Sequence, residues 1–201
     1  MTAESASARD AILAAVRAAR PPAVARPAPL GAPLSKGEGL SRADAFIASA
    51  TAAGATVSLA SASEVPRVVA GALEDAASVL SFAAEVTSTV STSGDPHDLD
   101  SLDVLVCESS LGVAENGAVW IATADTVGRA ALFLAARVVI VVREAELVDD
   151  LHQAYERIDV RASCFGVFVA GPSKTADIEQ ALVVGAHGPK ELTLVLVRDS
   201  Q

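Results

Sequence analysis

From about residue 41 to its end, the chain alternates short apolar runs with stretches of helical spacing. Several apolar runs are continuous, which is typical of strands covered on both faces of a sheet. Their alternation with helices predicts an α/β fold, an open and mostly parallel sheet flanked by helices. The predicted strands span residues 56–59, 79–82, 104–108, 118–123, 138–142, 166–170 and 192–197. The predicted helices span residues 41–51, 63–75, 128–135, 145–157 and 175–184, with Ser41 and Ser63 capping the first two.

A different pattern precedes residue 41. Residues 4–19 predict an amphipathic helix with Ile12, Val16 and Ala19 on one stripe, whereas residues 20–40 hold five of the nine prolines and predict an extended arm. We therefore expect an N-terminal helix and Pro-rich arm over 1–40 and one α/β domain over 41–201. The pattern fits equally a helix that docks on the domain, on another copy of the chain or on a partner, and a partly disordered terminus.

Length and composition fit one well-buried domain with an extra arm. The chain has 201 residues, 51% of them hydrophobic and 3% aromatic, so its core is built from small and branched side chains. The formal net charge of −10 argues against a nucleic-acid or anionic-membrane surface as partner. A homo-oligomer is also possible.

The chain is expected to be cytoplasmic and without a membrane span. Its first residues lack the pattern of a signal peptide, and its longest nearly apolar run, 130–142, contains Arg137 and is too short to cross a bilayer. Cys107 and Cys164 lie far apart, so we expect them to be small buried strand residues. Two such cysteines cannot hold an iron–sulfur cluster or a structural zinc alone, and we predict no cofactor or metal.

Residues 171–179, GPSKTADIE, follow a predicted strand and open a predicted helix. Small polar side chains can cap that helix, and its free N–H groups together with the Lys174 ammonium favour an anion such as a carboxylate or phosphate. Asp177 and Glu179 add negative charge to the first turn, so an ordinary capped helix fits as well. The ligand-binding candidates of this stretch are Gly171, Ser173, Lys174, Thr175 and Asp177.

Two further turns carry candidate chemistry. In residues 185–190, GAHGPK, His187 could act as a general base, proton donor or ligand, or could bond a loop carbonyl; Gly188 and Lys190 accompany it as ligand-binding candidates. In residues 114–120, AENGAVW, the Glu115 carboxylate could act as a nucleophile or base. The dipeptide that follows, Asn-Gly, is equally typical of a plain hairpin turn. The catalytic candidates are His187 and Glu115, and the second turn adds the ligand-binding candidates Asn116 and Gly117.

The stretch GPSKTADIEQALVVGAHGPKELTLVLV closely resembles the C-terminal signature of the lactate utilization protein C family, the LUD domain. AENGAVW and Gly128-Arg129 stand in the order that this family shows, and the resemblance extends from about residue 41 to the end. It implies a fold like that of NagB, RpiA and the CoA transferases, and extends site roles to Glu115, Arg129, Ser173, Thr175 and His187. It also implies a role in oxidising L-lactate to pyruvate beside partner subunits that carry iron–sulfur clusters.

The leading hypothesis is therefore a subunit without iron–sulfur clusters in an L-lactate-oxidising system, binding a small carboxylate or a partner at 171–190. Here Ser173, Lys174 and Thr175 would hold an anion, and His187 would handle a proton or orient the ligand.

Two alternatives stay open. Glu115-Asn116-Gly117 is similar to the Glu-Asn-Gly segment of class I CoA transferases, in which the glutamate forms a thioester with an acyl group. The chain also departs from the family, which usually has Thr on both sides of the glycine after Glu115 and a Pro and a His before the strand at 138. The residues found there, Asn116, Ala118, Leu134 and Arg137, fit a regulatory or scaffolding module that has kept the fold.

Overall fold

The computed structural model describes residues 7–25, 39–91, 95–123, 125–162, 165–178 and 181–198, with the side chains of 176–178 and 181–182 left outside that description. The chain divides into two compact units, Met1–Pro33 and Leu34–Gln201. In the first, helix α1 (Ala8–Ala18) confirms the helix expected over 4–19 within the described residues, and the Ser7 hydroxyl accepts the N–H of Asp10 as its cap. The domain boundary expected at residue 40 stays a prediction.

The second unit is built on a five-stranded parallel sheet. Its strands, in spatial order, are β1 (Thr56–Ser61), β11 (Glu191–Arg198), β6 (Arg137–Arg143), β3 (Val104–Ser109) and β2 (Val79–Ser81). Every neighbouring pair in it is parallel, and successive residues of β3, such as Leu105 and Val106, are buried on opposite faces. This confirms the open, mostly parallel sheet with continuously apolar strands that the sequence predicts.

Helices cover both faces of this sheet. Phe46 of α2 belongs to the core cluster on one face, and Val69 of α3 to the cluster on the other. The Ser41 hydroxyl accepts the N–H of Asp44 and caps α2 as predicted. The start of α3 is shifted from the prediction, because Ser61 and Glu64 form a capping box around a short 3₁₀ turn that precedes it. The helices of this unit are α2 (Arg42–Ala52), α3 (Val65–Ala72), α4 (Thr126–Leu134) and α5 (Leu151–Arg157).

The structure also has a second, smaller sheet, which the sequence pattern does not distinguish from the parallel one. It orders β7 (Leu147–Val148), β4 (Gly112–Val113), β5 (Ala118–Thr123) and β8 (Phe165–Val169), with β4·β5 and β5·β8 antiparallel. The turn between β4 and β5 is the predicted Asn-Gly turn, in which the Asn116 side-chain oxygen accepts the N–H of Ala118. So short a turn joins only antiparallel strands, which keeps β5 out of the parallel sheet beside β3.

The helix predicted over 175–184 is wrong. The structure has an antiparallel hairpin there, β9 (Lys174–Ile178) and β10 (Ala181–Val184). β10 is a run of ALVV, and branched residues favour strands, while the N–H of Gly185 donates to the Ser173 carbonyl and closes the base of the hairpin. Ser173 and Thr175 therefore cap no helix, and the anion-binding hypothesis loses the helix N-terminus on which it depended. The helix predicted over 145–157 is also shorter, since β7 occupies its first part.

Two glycine turns lie directly against the end of α2. Gly117 and Gly171 have φ angles of 67° and 71°, and a Cβ atom on either would overlap α2 or its C-terminal cap. At Gly117 it would overlap the backbone nitrogen of Ala50, and at Gly171 the carbonyl oxygen of Ala53. Only glycine gives both the left-handed conformation and this close approach.

We expect Gly117→Ala to lower the free energy of unfolding by about 2–4 kcal/mol, because left-handed strain adds to a backbone clash. Gly39→Ala is the matched control, since Gly39 has a φ of +95° and, among the described residues, no atom within 4 Å of the added Cβ. It should show the strain alone, about 1–2 kcal/mol. Urea unfolding followed by circular dichroism measures both, and equal losses would contradict a role for the contact with α2.

Candidate functional site

The turns 171–173 and 185–190 lie together at the edge where strands of the parallel sheet begin. The N–H of Ser173 donates to the Pro189 carbonyl at 2.8 Å. The N–H of Lys190 donates to the carbonyl of Ala136, the residue before β6, also at 2.8 Å. We call this surface the amino edge. The structure thus brings Ser173, Gly188 and Lys190 into one neighbourhood, as the sequence predicts for a common site.

Two of the anion-binding candidates, Lys174 and Thr175, contact other parts of the protein. The Lys174 ammonium donates to the carbonyl oxygen of Ala53, just past the C-terminal end of α2, where cations are favoured. Thr175 is partly buried in β9, opposite Val183. Asp177 lies in β9 with its side chain outside the described residues. The contact of Lys174 with Ala53 ties the turn to α2, which is a structural use of the amine.

His187 is exposed and lies between two cavities of the amino edge. One, of about 220 Å³, is lined mainly by apolar groups, including Leu132 and Val167. The other is an open groove of about 780 Å³. Beside them Phe133 and Leu134 are 46% and 43% exposed. His187 therefore lies between a mainly apolar cavity and a groove whose lining also includes Asp100, Asp103 and Lys190.

Arg137, the first residue of β6, forms an ion pair with Asp103 at the amino edge. Its Nε and Nη2 donate to the two carboxylate oxygens of Asp103 at 3.2 and 3.0 Å. Asp103 also accepts the N–H of Ala77 at 3.0 Å, so the pair joins the segments that lead into β2, β3 and β6. The hydrogen bond from Arg137, followed by that from Ala77, holds the pKa of Asp103 below its ordinary value of 3.8.

The remaining candidates are not gathered around His187. Glu115 accepts the N–H of Leu151 at 3.1 Å and so helps to cap α5, which is a structural role. The guanidinium of Arg129 lies over the Phe165 ring, 5.8 Å from its centroid. Glu115, Arg129 and His187 therefore have three separate surroundings.

Another cavity, absent from the sequence-based candidates, lies at the opposite edge of the sheet. A cleft of about 610 Å³ opens where strands β3, β6 and β11 end, beside the loop after β2. Ligands of open α/β sheets collect at this carboxyl edge. The sequence signal that could have revealed it is the polar residues at the ends of two buried strands, Glu108-Ser109-Ser110 and Arg143-Glu144. We call it the carboxyl-edge cleft.

The polar groups of this cleft differ in what they already bind. The single proton of the Ser109 hydroxyl has two carbonyl oxygens at 2.8 Å, those of Leu111 and Trp120, and the Ser109 oxygen accepts the N–H of Leu111 at 3.2 Å. Ser109 is therefore engaged within the protein. The Ser110 hydroxyl has no hydrogen-bond partner among the described residues. Arg143 is the basic side chain in the described lining and has no ion pair in that part of the chain, whereas the acidic residues of the lining are Glu85, Glu108 and Glu146.

A side chamber of about 210 Å³ adjoins the cleft and shares Glu108 and Ala122 with it. The hydroxyl oxygen of Thr123 is buried there without a partner in the described structure, a situation that costs roughly 1–3 kcal/mol. Cys107 also lines the chamber, and burial raises the pKa of its thiol to about 12, so it stays protonated. This confirms the buried strand position expected for Cys107, while Cys164 lies outside the described residues.

Comparison with known proteins decides the family. The model of the LUD domain matches residues 96–197, just over half of the chain. The chain belongs to the LUD domain family. This confirms the resemblance carried by the C-terminal motif, and the matched region holds all of β3 and β6 and all but the last residue of β11.

Relatives of this LUD domain protein are similar over about half of its length. It is 34% identical over 107 residues to lactate utilization protein C of Geobacillus sp. strain WCH70, covering 50% of this chain and 44% of that protein. It is 34% identical over 101 residues to the uncharacterized protein YkgG of Escherichia coli K12, covering 47% and 43%. The chain thus spans less than half the length of these curated relatives.

One solved structure shares the fold. A DUF162 family protein from Deinococcus radiodurans superposes with a TM-score of 0.60 at 24% identity, covering 79% of this chain and 99% of that one. In the described part of the LUD domain protein, no helix has the length and apolarity needed to cross a bilayer. Nor do three His, Cys, Asp or Glu side chains of that part lie where they could hold a metal ion.

Replacing Asp103 by Asn is expected to lower the free energy of unfolding by about 1–2 kcal/mol at neutral pH, because a charged hydrogen-bonded pair that is only about a quarter exposed is lost. A carboxylate whose folded pKa is depressed stabilises above its unfolded pKa, and this contribution disappears as the pH falls through the folded value. The difference from wild type should therefore shrink below about pH 4, measured by urea unfolding across pH. A difference that is constant down to about pH 2.5 would contradict this assignment.

Proposed function

We propose that this LUD domain protein is a component of an L-lactate utilization system and takes part in the oxidation of L-lactate to pyruvate as a subunit without an iron–sulfur cluster of its own. The observation that carries the proposal is the family match over 96–197, together with 34% identity to proteins named lactate utilization protein C. Because the chain spans less than half of those relatives, the proposal concerns the role of the LUD domain within such a system.

The amino edge is the surface that we propose for the partner subunit. Phe133 and Leu134 are exposed beside His187, and exposed apolar groups that adjoin one another favour a protein partner. The adjoining small cavity is mainly apolar, and the Lys174 ammonium donates to Ala53. The sequence predicts that residues 171–190 bind either a small carboxylate or a protein partner. These contacts support the protein partner.

Leu134→Lys tests the surface. In a strain that lacks the native gene, wild-type protein should restore growth on L-lactate, and Leu134→Lys should restore it poorly because a charge replaces the apolar contact. Affinity capture should show the same loss of a partner identified by its bound iron and sulfide. Val160→Lys is the matched control, since Val160 is 63% exposed and lies away from the amino edge.

Normal growth of the deletion strain on L-lactate would refute the proposed function. If Leu134→Lys and Val160→Lys behave alike, the amino edge is not the partner surface. Ser173→Ala and His187→Ala should leave growth unchanged if this surface acts through apolar contact, whereas loss of growth with either would assign the polar groups a direct role.

A further inference from the structure

We propose that the carboxyl-edge cleft binds a hydroxy acid, with the carboxylate of the ligand paired to Arg143 and its hydroxyl groups bonded to Glu108 and Ser110. The position of the site follows from the cleft alone, while the choice of a hydroxy acid as the ligand class rests on the proposed function.

The first argument is the unused charge of Arg143. Three arginines stand at ends of the central strands, and two of them are paired: Arg137 with Asp103, and Arg198 with Glu144 at 3.8 Å. In the described residues Arg143 has no ion pair, although the chain carries a net charge of −10. A guanidinium binds a carboxylate through two parallel hydrogen bonds, so the ligand group that Arg143 fits best is a carboxylate.

Strand register places a hydroxyl beside that charge. Ser109 pairs with Val142 across β3 and β6, so Ser110, just after β3, and Arg143, the last residue of β6, come next at adjacent strand ends. Both line the cleft, and both are exposed. One ligand carboxylate can therefore meet a guanidinium and a hydroxyl that come from neighbouring strands.

The acidic lining restricts the rest of the ligand. Glu85, Glu108 and Glu146 line the same cleft as the single guanidinium of the described lining, and this excess of negative charge disfavours a polyphosphate or any strongly anionic ligand. Ionised carboxylates only accept hydrogen bonds, so they require donors on the ligand. A molecule with one carboxylate and one or more hydroxyl groups meets both conditions.

The side chamber gives an independent indication of a polar ligand. The buried Thr123 hydroxyl has no partner among the described residues, and its chamber adjoins the cleft at Glu108. A ligand hydroxyl that reaches past Glu108 would supply the missing hydrogen bond. The cleft volume of about 610 Å³ lies in the usual range for small-molecule sites and exceeds what lactate alone fills, so larger hydroxy acids also fit.

Trp120 reports on this cleft directly, because it is the single tryptophan of the chain and lines the cleft wall. The full chain is titrated with L-lactate, glycerate and gluconate, with pyruvate and inorganic phosphate as anions without a carbon-bound hydroxyl. At least one hydroxy acid should change the Trp120 emission saturably and bind more tightly than pyruvate or phosphate. Arg143→Gln should weaken that binding by about tenfold or more, since a charged hydrogen-bonded pair is lost.

Matched variants separate this site from other sites. Arg161→Gln removes an exposed arginine outside the cleft lining and should leave affinity unchanged, as should Ser173→Ala and His187→Ala at the amino edge. Ser110→Ala and Thr123→Val should each weaken binding more than Arg161→Gln does. Circular dichroism confirms that each variant is folded.

The proposal is overturned if no hydroxy acid binds by emission or calorimetry, if Arg143→Gln binds as wild type does, or if Ser173→Ala abolishes binding while Arg143→Gln retains it. The proposed function fails separately. A deletion strain that grows normally on L-lactate removes that function while Arg143-dependent binding stands, and a deletion strain without growth, combined with unaltered binding by Arg143→Gln, removes this site alone.

Discussion

The close contact between α2 and two glycine turns is the constraint on which most of the α/β unit depends. Gly117 approaches the backbone at Ala50, and Gly171 approaches the carbonyl of Ala53, where Lys174 also donates a hydrogen bond. These turns begin β5 and β9, respectively, so the small sheet and the hairpin are both positioned by the same helix. α2 in turn buries Phe46 in the main core, which links the turns to the parallel sheet.

This constraint changes the meaning of the most recognisable motif. A glycine, a lysine and small polar residues in one stretch are typical of an anion site. Here, however, Gly171 and Lys174 both contact the carbonyl of Ala53 at the end of α2. Glu115 has a similar role, because its carboxylate caps α5. Residues whose types suggest catalysis or ligand binding can thus have a structural role instead. They bond the free backbone N–H and C=O groups at helix ends, which need hydrogen-bond partners.

The two edges of the parallel sheet differ in whether their arginine is paired. At the amino edge, Arg137 and Asp103 neutralise each other, and exposed apolar groups adjoin the turns. At the carboxyl edge, Arg143 and Ser110 line a cleft without partners in the described chain. Such a division suits a subunit that meets another protein at one edge and a small molecule at the other, which is the arrangement that our two proposals together describe.

Local sequence features predict the strands of the parallel sheet, the helix cap at Ser41, the Asn-Gly turn and the family, because hydrophobic period, local capping and a long motif are properties of short segments. It was wrong at 175–184, where helical spacing competed with branched residues and hairpin pairing prevailed. Which polar side chains stay unpaired cannot be read from such local features, because it depends on the tertiary structure. Whether an arginine meets an aspartate, as Arg137 does, or faces a cleft, as Arg143 does, depends on strand register and on segments far apart in sequence.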